Sequence, residues 1–461
     1  MPPRKVYISF LGTSNYQETE YLWVHGNEFY CTPYGQEAEL YLAKEKDNYI
    51  PDVVYILVTE ISEKAHWDEW KGYDSHNKRY LPSKGLGLYP RIQTLLPNTN
   101  IKPIRIPDGL TELEQWKIFE ILLEHIQEQD HLILDITHGY RVTPVVLSSA
   151  LHFLRLVRNI EVHHVYYASY ETLDKRIIDY VGFYEIQYLT NAIARLNDEA
   201  DIRSLLQIRK QKRRSNLDLS LLHNDELLKQ LKKITDAFRN IESHFIGIHA
   251  KNAMASIQQK LHKIQNRRNS IPYLLLDRIH SKFAILSYDD DTAQNRYFSE
   301  NYFQVQLDCI KMLVKHQLCM QAYTLFREYI GSLGMIFVDN ANWKNRDGRL
   351  QRRTQGEVFL HMIQFAEKFT ENERNREAYH ILLPAYQKIQ VAGIAQTLQQ
   401  ALNNKEKPFG INHFRTAFAH ACSKQEHIPA GWEDAINHWL PIVEEATKTL
   451  WQIQATQKQH Q

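Results

Sequence analysis

Apolar and polar positions follow two alternating periods over the first 185 residues. Short apolar runs rich in β-branched and aromatic residues occur at 5–11, 53–59, 101–106, 131–136 and 162–168. Between them apolar positions recur at spacings of three and four, most clearly at 111–127 and 143–156, the signature of amphipathic helix. This strand–helix rhythm predicts a mainly parallel sheet covered by helices on both faces. A further run at 176–184 reads as an edge strand or hairpin. From about Glu185 the strand signals stop. Residues 217–265 read as helix, with Leu228, Leu231, Ile234, Phe238 and Ile241 at helical spacing. A second helical region begins near Ser299 with the amphipathic stretch 305–336, breaks at a polar, basic loop at 342–355, and resumes through 357–369. There is no internal repeat, and low complexity is confined to the Gln-rich tail at 455–461.

A chain of 461 residues needs two or three cores rather than one. The pattern divides it into an α/β domain over 1–185, a helical connector over 186–298 and an all-α domain over 299–461. Hydrophobic content of 43% and charged content of 24% place it among ordinary globular proteins. A net charge of +1 supplies no global field for nucleic acid or membrane, so any RNA contact must come from local basic patches. The run at 209–214, with Arg209, Lys210, Lys212, Arg213 and Arg214, reads as a solvated linker face, with phosphate contact as the alternative. Cys31, Cys309, Cys319 and Cys422 are scattered without a Cys-x-x-Cys, which suggests neither a zinc site nor a disulfide framework. The N-terminus runs directly into a strand and no apolar run is long enough to span a bilayer. A cytoplasmic protein without a membrane partner is expected.

The chemistry concentrates in two turns. Asp135-Ile136-Thr137-His138-Gly139-Tyr140-Arg141 follows a buried strand and precedes a helix. It offers a hydroxyl, an imidazole, a bare backbone and a guanidinium, a set suited to phosphates and nucleobases. The first strand ends in the loop Gly12-Thr13-Ser14-Asn15-Tyr16. In a doubly wound sheet of the usual order the first and fourth strands are neighbours at the switch point, so these turns would face each other across one crevice. Gly12 and Gly139 would let a ligand approach the backbone, and Arg141 would present a fork to phosphate. No Gly-x-Gly-x-x-Gly is present, against a dinucleotide-binding dehydrogenase, and no Gly-Lys dipeptide, which excludes a Walker A loop. The plainer reading of each turn alone is an ordinary polar connection.

With these turns in view, the N-terminal 185 residues resemble the CARF domain of CRISPR-associated ancillary proteins of type III systems. The resemblance is carried by Ile8-Ser9-Phe10-Leu11-Gly12-Thr13, Leu57-Val58-Thr59-Glu60, Ile106-Pro107-Asp108-Gly109 and the 135–141 turn. It implies a Rossmann-like fold that binds cyclic oligoadenylate across a two-fold dimer interface. Gly12, Thr13, Ser14, Asn15, Thr137, His138, Gly139 and Arg141 would then cradle the ring's phosphates, riboses and bases. Two copies of the pocket suit a symmetric ring, and family grounds favour cyclic tetra-adenylate. The expected assembly is a homodimer or a higher oligomer. Where the family leads one to expect Tyr-Gly near the fifth strand, this chain reads Tyr167-Ala168.

Members of this size end in a HEPN domain, an all-helical ribonuclease module with an Arg-x-x-x-x-His motif. With 26 Arg and 22 His, chance supplies about one such pair. Three exist: Arg158/His163, Arg239/His244 and Arg415/His420. The first straddles a helix end and a strand start, and the second lies among charged neighbours of a connector helix. Arg415/His420 follows a loop, with Asn412 as a candidate helix N-cap and Ala417, Ala419 and Ala421 leaving room for a second helix. It also lies where the family places its site. RNA carries its own nucleophile, the 2′-hydroxyl. His420 would move protons near neutral pH and Arg415 would stabilise the phosphorane. No metal or other cofactor is required. Five residues apart on a helix, the two side chains diverge by about 140°, so a composite site from two protomers follows. The basic loop with Lys344, Arg346, Arg349, Arg352 and Arg353 would guide single-stranded RNA, or be simply exposed.

The resemblance therefore predicts a cyclic-oligoadenylate-activated, metal-independent endoribonuclease. The alternatives are a CARF ring nuclease that cuts its own ligand, a non-catalytic sensor or regulator, and a metal-dependent nuclease built on Asp52 and Glu69.

Overall fold

The computed structural model describes residues 3–24, 26–138, 143–170, 173–210, 224–241, 246–288, 298–338, 353–365, 371–419 and 431–459. Its strands are β1 (Lys5–Leu11), β2 (Thr19–Leu22), β3 (Phe29–Thr32), β4 (Val53–Val58), β5 (Tyr73–Asp74), β6 (Arg79–Tyr80), β7 (Asn100–Arg105), β8 (His131–Asp135), β9 (Glu161–Ala168) and β10 (Ile177–Asp179). Six of them form one sheet in the order β10-β9-β8-β1-β4-β7. β1 runs parallel to both β4 and β8, β4 to β7, and β8 to β9. β10 closes one edge antiparallel to β9. The parallel strands stand in the doubly wound order, reversing direction between β1 and β8.

Strand interiors are apolar because both faces are covered. Alternate residues serve opposite cores. Tyr7, Val54, Ile56 and Ile133 pack with Ala38 and Leu42 of α1 (Gly35–Asp47) and Ile92 of α3 (Leu88–Leu95). Val6, Ile8, Leu57, Leu132 and Leu134 pack with Ile118 and Leu122 of α4 (Glu112–His125) and Leu147 and Leu151 of α5 (Thr143–Arg158). Thr59 ends β4 one residue early because its hydroxyl accepts from Ser62 N as the N-cap of α2 (Glu60–His66). Thr111 and Glu114 form the equivalent capping box on α4. The 176–184 run is strand only over Ile177–Asp179, since Asp179 Oδ1 accepts from Val181 N at 3.0 Å where the next helix, Val181–Glu199, begins. The β2–β3 and β5–β6 hairpins and α1 are additions to the sequence-based expectation.

The described residues fall into two compact units, one through Leu189 and one from Thr190. Among the described residues of the second, all regular structure is helical. The 217–265 region holds two helices, Asp225–Asn240 and Ile246–Lys263, separated after Ile241, whose φ of 60° is left-handed. The 305–336 stretch is likewise two helices, Glu300–Lys315 and Cys319–Ser332, interrupted at Gln317 with φ 55°. In both cases the apolar period continues across a break that a single backbone torsion makes. Arg353–Val358 forms one π-helical turn before Phe359–Phe365. The C-terminal helices are Arg376–Val391, Ile394–Asn403, Ile411–Ala419 and Trp432–Gln459. No helix among the described residues is long and apolar enough to cross a membrane.

Candidate ligand crevice at the switch point

Because β1 and β8 are paired neighbours, the Gly12–Asn15 and Thr137–His138 turns emerge side by side. A Cβ added to Gly12 would lie 3.4 Å from His138 Nδ1 and 3.0 Å from the Tyr16 hydroxyl, so the turns touch here. Gly12 N donates to Tyr16 Oη at 3.0 Å, and Tyr16 N donates to Ser14 O at 3.0 Å. This curl leaves Thr13, Ser14 and Asn15 exposed. Thr137 is held from both sides: its N–H donates to Asp135 Oδ1 at 2.7 Å, and its hydroxyl accepts from Ala168 N at 2.7 Å. The crevice wall therefore includes the end of β9. Ala168 is accommodated because position 35 of α1 is glycine, where an added Cβ would fall 2.8 Å from Ala168 Cβ. Gly139 and Arg141 lie outside the described residues.

Beneath the turns sits an aromatic and imidazole floor. The Tyr16 ring meets His66 edge-on at 4.6 Å and His138 at 4.9 Å between centroids. Burial pushes His138 down to about 4, with neighbouring His66 adding to the shift. Burial likewise pushes His66 down to about 4, opposed by the Ser14 carbonyl and aided by Lys84. Both imidazoles are neutral at pH 7, and His138 Nε2 is buried without a protein partner among the described residues. One layer deeper, Ser9 Oγ donates to Asp135 Oδ2 at 2.7 Å and Tyr7 Oη to Glu39 Oε2 at 2.7 Å. Burial and then the charge of Asp135 push Glu39 well above the carboxylate range, and burial raises Asp135. A protonated Glu39 beside Asp135 keeps this buried acid pair from carrying two charges.

Sequence reasoning placed Tyr16 in the first turn without a role and missed two contributors to this site, His66 and Lys84. Lys84 Nζ donates to Asn15 Oδ1 at 2.9 Å and lies 5.3 Å over the Trp70 ring, which places a cation on the exposed rim. It is 69 residues from Asn15 in sequence, so no motif could reveal it. Asp52 and Glu69 build no joint acidic site: Asp52 Oδ2 accepts from Lys5 N at the opposite end of the strands, and Glu69 pairs with Lys71.

The arginines of the three Arg/His pairs have different surroundings among the described residues. Arg158 donates to the carbonyls of Leu123 and Ile126, capping α4. Arg239 pairs with buried Asp201, which Arg195 and Arg203 also hold. Arg415 is half-buried on Ile411–Ala419 and acts electrostatically on Glu328, a carboxyl raised by burial and drawn back by Arg327 and Arg415. Asn412 is not the N-cap. The helix starts at Ile411 behind Gly410, where a Cβ would strike Asn404 N at 2.6 Å, and Asn412 Nδ2 instead donates to Asn403 Oδ1 at 2.9 Å. His420, His244, Cys422, Ala421 and the basic residues at 344–352 lie outside the described residues, as do Lys212, Arg213 and Arg214.

The order of the sheet and its paired turns define a doubly wound α/β fold with a crevice at its switch point. Residues 6–171, which span both turns, match the family model described as CRISPR system endoribonuclease Csx1, CARF domain. This match supports a CARF domain over residues 6–171. A curated relative, CRISPR-associated protein MJ1674 of Methanocaldococcus jannaschii, is 28% identical over 68 residues, which is 14% of this chain and 11% of that protein. The chain therefore aligns with only about a tenth of that relative's length.

Proposed function

We propose that this protein is a ribonuclease of type III CRISPR defence, switched on by cyclic oligoadenylate. The observation that carries the reading is the meeting of the Gly12–Asn15 and Thr137–His138 turns at the switch point of a CARF domain. The ring lies across two copies of this crevice, its phosphates on turn N–H groups, Arg141 and Lys84. A second copy has a surface to use. Leu113 of α4 is 80% exposed and Leu156 of α5 84% exposed, with Trp116, Val145 and Phe153 also on the surface. Exposed apolar groups of this size mark an interface, and an isologous dimer repeats the crevice about a two-fold axis. Ring binding favours the dimer geometry in which two copies of Arg415 and His420 form one HEPN-type site, which requires the ring to bind that state more tightly. His420 moves protons, Arg415 stabilises the phosphorane, and the 2′-hydroxyl is the nucleophile, leaving a 2′,3′-cyclic phosphate.

The test is cleavage of single-stranded RNA with and without cyclic tetra- and hexa-adenylate. Stimulation by one ring is expected, lost about 100- to 1,000-fold in Arg415→Ala and similarly in His420→Ala, with ring binding retained. No stimulation by any ring overturns the reading. One observation favours a second activity. His138 Nε2 is buried without a partner among the described residues beside the Gly12 turn, a polar atom that a shifted turn would present to a CARF domain that cuts its own ring. Ring turnover by Arg415→Ala protein, abolished by His138→Ala, would establish that ring-nuclease reading.

A further inference from the structure

At the end of the sheet opposite the crevice, β8 and β9 begin with a cluster that neither the ring site nor the Arg/His pair uses. His131 and Glu161 are register partners across the two parallel strands. The register then steps from Leu132↔Val162 to Ile133↔His164, leaving His163 as the extra residue of a bulge, a device that re-aims side chains. Two residues apart on β9, Glu161 and His163 share a face by the ordinary alternation of a strand. Glu161 Oε2 lies 3.4 Å from His131 Nε2 and 3.5 Å from His163 Nε2. The imidazole rings sit 4.5 Å apart at 38°. One donor atom from each of the three residues lies within 4.8 Å of the others.

We infer that His131, Glu161 and His163 form a three-ligand site for a borderline divalent transition metal of the zinc class. Two imidazoles and one carboxylate are the ligand types zinc takes. Bonds of about 2.0–2.1 Å at tetrahedral angles give ligand–ligand edges of about 3.3 Å. The two carboxylate–imidazole edges, 3.4 and 3.5 Å, lie close to that value. They are longer than the roughly 2.7–3.2 Å of an N–H···O hydrogen bond, so hydrogen bonding alone accounts for them poorly. His163 Nδ1 is buried without a partner among the described residues, so the ring is held in an orientation that costs free energy and that coordination at Nε2 would offset. The three side chains are 14–34% exposed, which gives an ion a path in and leaves a fourth position for water. The ion would staple β8 to β9, the strands whose far ends carry Thr137 and Ala168. Arg158/His163, singled out above as a chance motif match, thus splits into a helix cap and a ligand.

The experiment uses the full chain, stripped with EDTA, dialysed, supplied with zinc chloride and freed of loose ion by gel filtration. Metal content by mass spectrometry is expected at about one zinc per chain, and near zero in Glu161→Gln and His163→Asn. Circular dichroism checks that each variant is folded. Wild-type zinc content in folded variants, or none in the wild type, overturns the assignment. If a variant does not fold, cobalt in the wild-type protein decides. Tetrahedral ligand-field bands that zinc displaces support the site, and purely octahedral cobalt overturns it. Because binding of cyclic tetra-adenylate is measured separately on the same samples, failure of this site and failure of the ring reading are distinguishable.

Discussion

Replacing Gly35 by alanine should loosen the wall of the switch-point crevice, where the added methyl would press on Ala168 and reach Thr137 Cγ2 at 4.0 Å. Gly35 is the first residue of α1, and its missing Cβ lets the helix lie against the end of β9. An added methyl would meet Ala168 Cβ at 2.8 Å, more than half an ångström inside normal carbon contact of roughly 3.5–4.0 Å. Neither partner can rotate away, because each is a Cβ fixed to backbone. Overpacking of this kind costs about 1–3 kcal/mol, a fall of several degrees in Tm for a unit of this size. Ala168→Gly alone should cost about 1–2 kcal/mol through one lost buried methyl and a more flexible strand end. The double variant removes the clash, so Gly35→Ala/Ala168→Gly should be no less stable than Ala168→Gly alone. A coupling energy of about 1–3 kcal/mol in a double-mutant cycle is expected. Urea denaturation of the four proteins measures it. Strictly additive effects, or a Gly35→Ala protein as stable as wild type, would refute the close-packing argument. Since Ala168 N donates to Thr137 Oγ1, Gly35→Ala should also weaken ring binding, and the double variant should recover it.

Other outcomes follow from the same site. His66 is held neutral with its pKa pushed down to about 4 from an ordinary 6.5. The unfolded chain therefore binds the extra proton first, and folding stability falls as pH drops from 6.5 towards 4. The loss is about 3 kcal/mol, and His66→Phe should flatten that limb of a denaturation-versus-pH series. Glu39 has the opposite sign. Its raised folded pKa makes wild-type stability decline as pH rises above the ordinary carboxyl range. Glu39→Gln should therefore gain on wild type by up to about 1.4 kcal/mol per pH unit, and a gap that narrows with pH would contradict a protonated Glu39. Lys84→Met should weaken cyclic tetra-adenylate binding about tenfold and reduce its salt dependence by about one charge, measured by titration calorimetry at two ionic strengths.

The buried strands and their order were legible in the chain because each parallel strand is covered on both faces and so reads as an uninterrupted apolar run. Doubly wound sheets also vary little in order, and adjacency of the two turns followed from that. α1 was not legible. Gln36, Glu37 and Glu39 are buried in it, hydrogen-bonded to Phe10 O, Tyr30 and Tyr7, so polar residues occupy positions where a pattern reader expects apolar ones. Breaks at Ile241 and Gln317 were hidden for the converse reason: a single left-handed residue interrupts a helix without disturbing its apolar period.

From sequence alone came the α/β-then-helical layout, the two polar turns and the choice among three Arg/His pairs by context. Only the tertiary structure decided that Lys84 reaches Asn15, that Gly35 makes room for Ala168, and that the pairing of β8 with β9 brings His131 beside Glu161 and His163. These are contacts between residues distant along the chain. Local pattern records which face a residue occupies. What it meets there depends on how the strands pair.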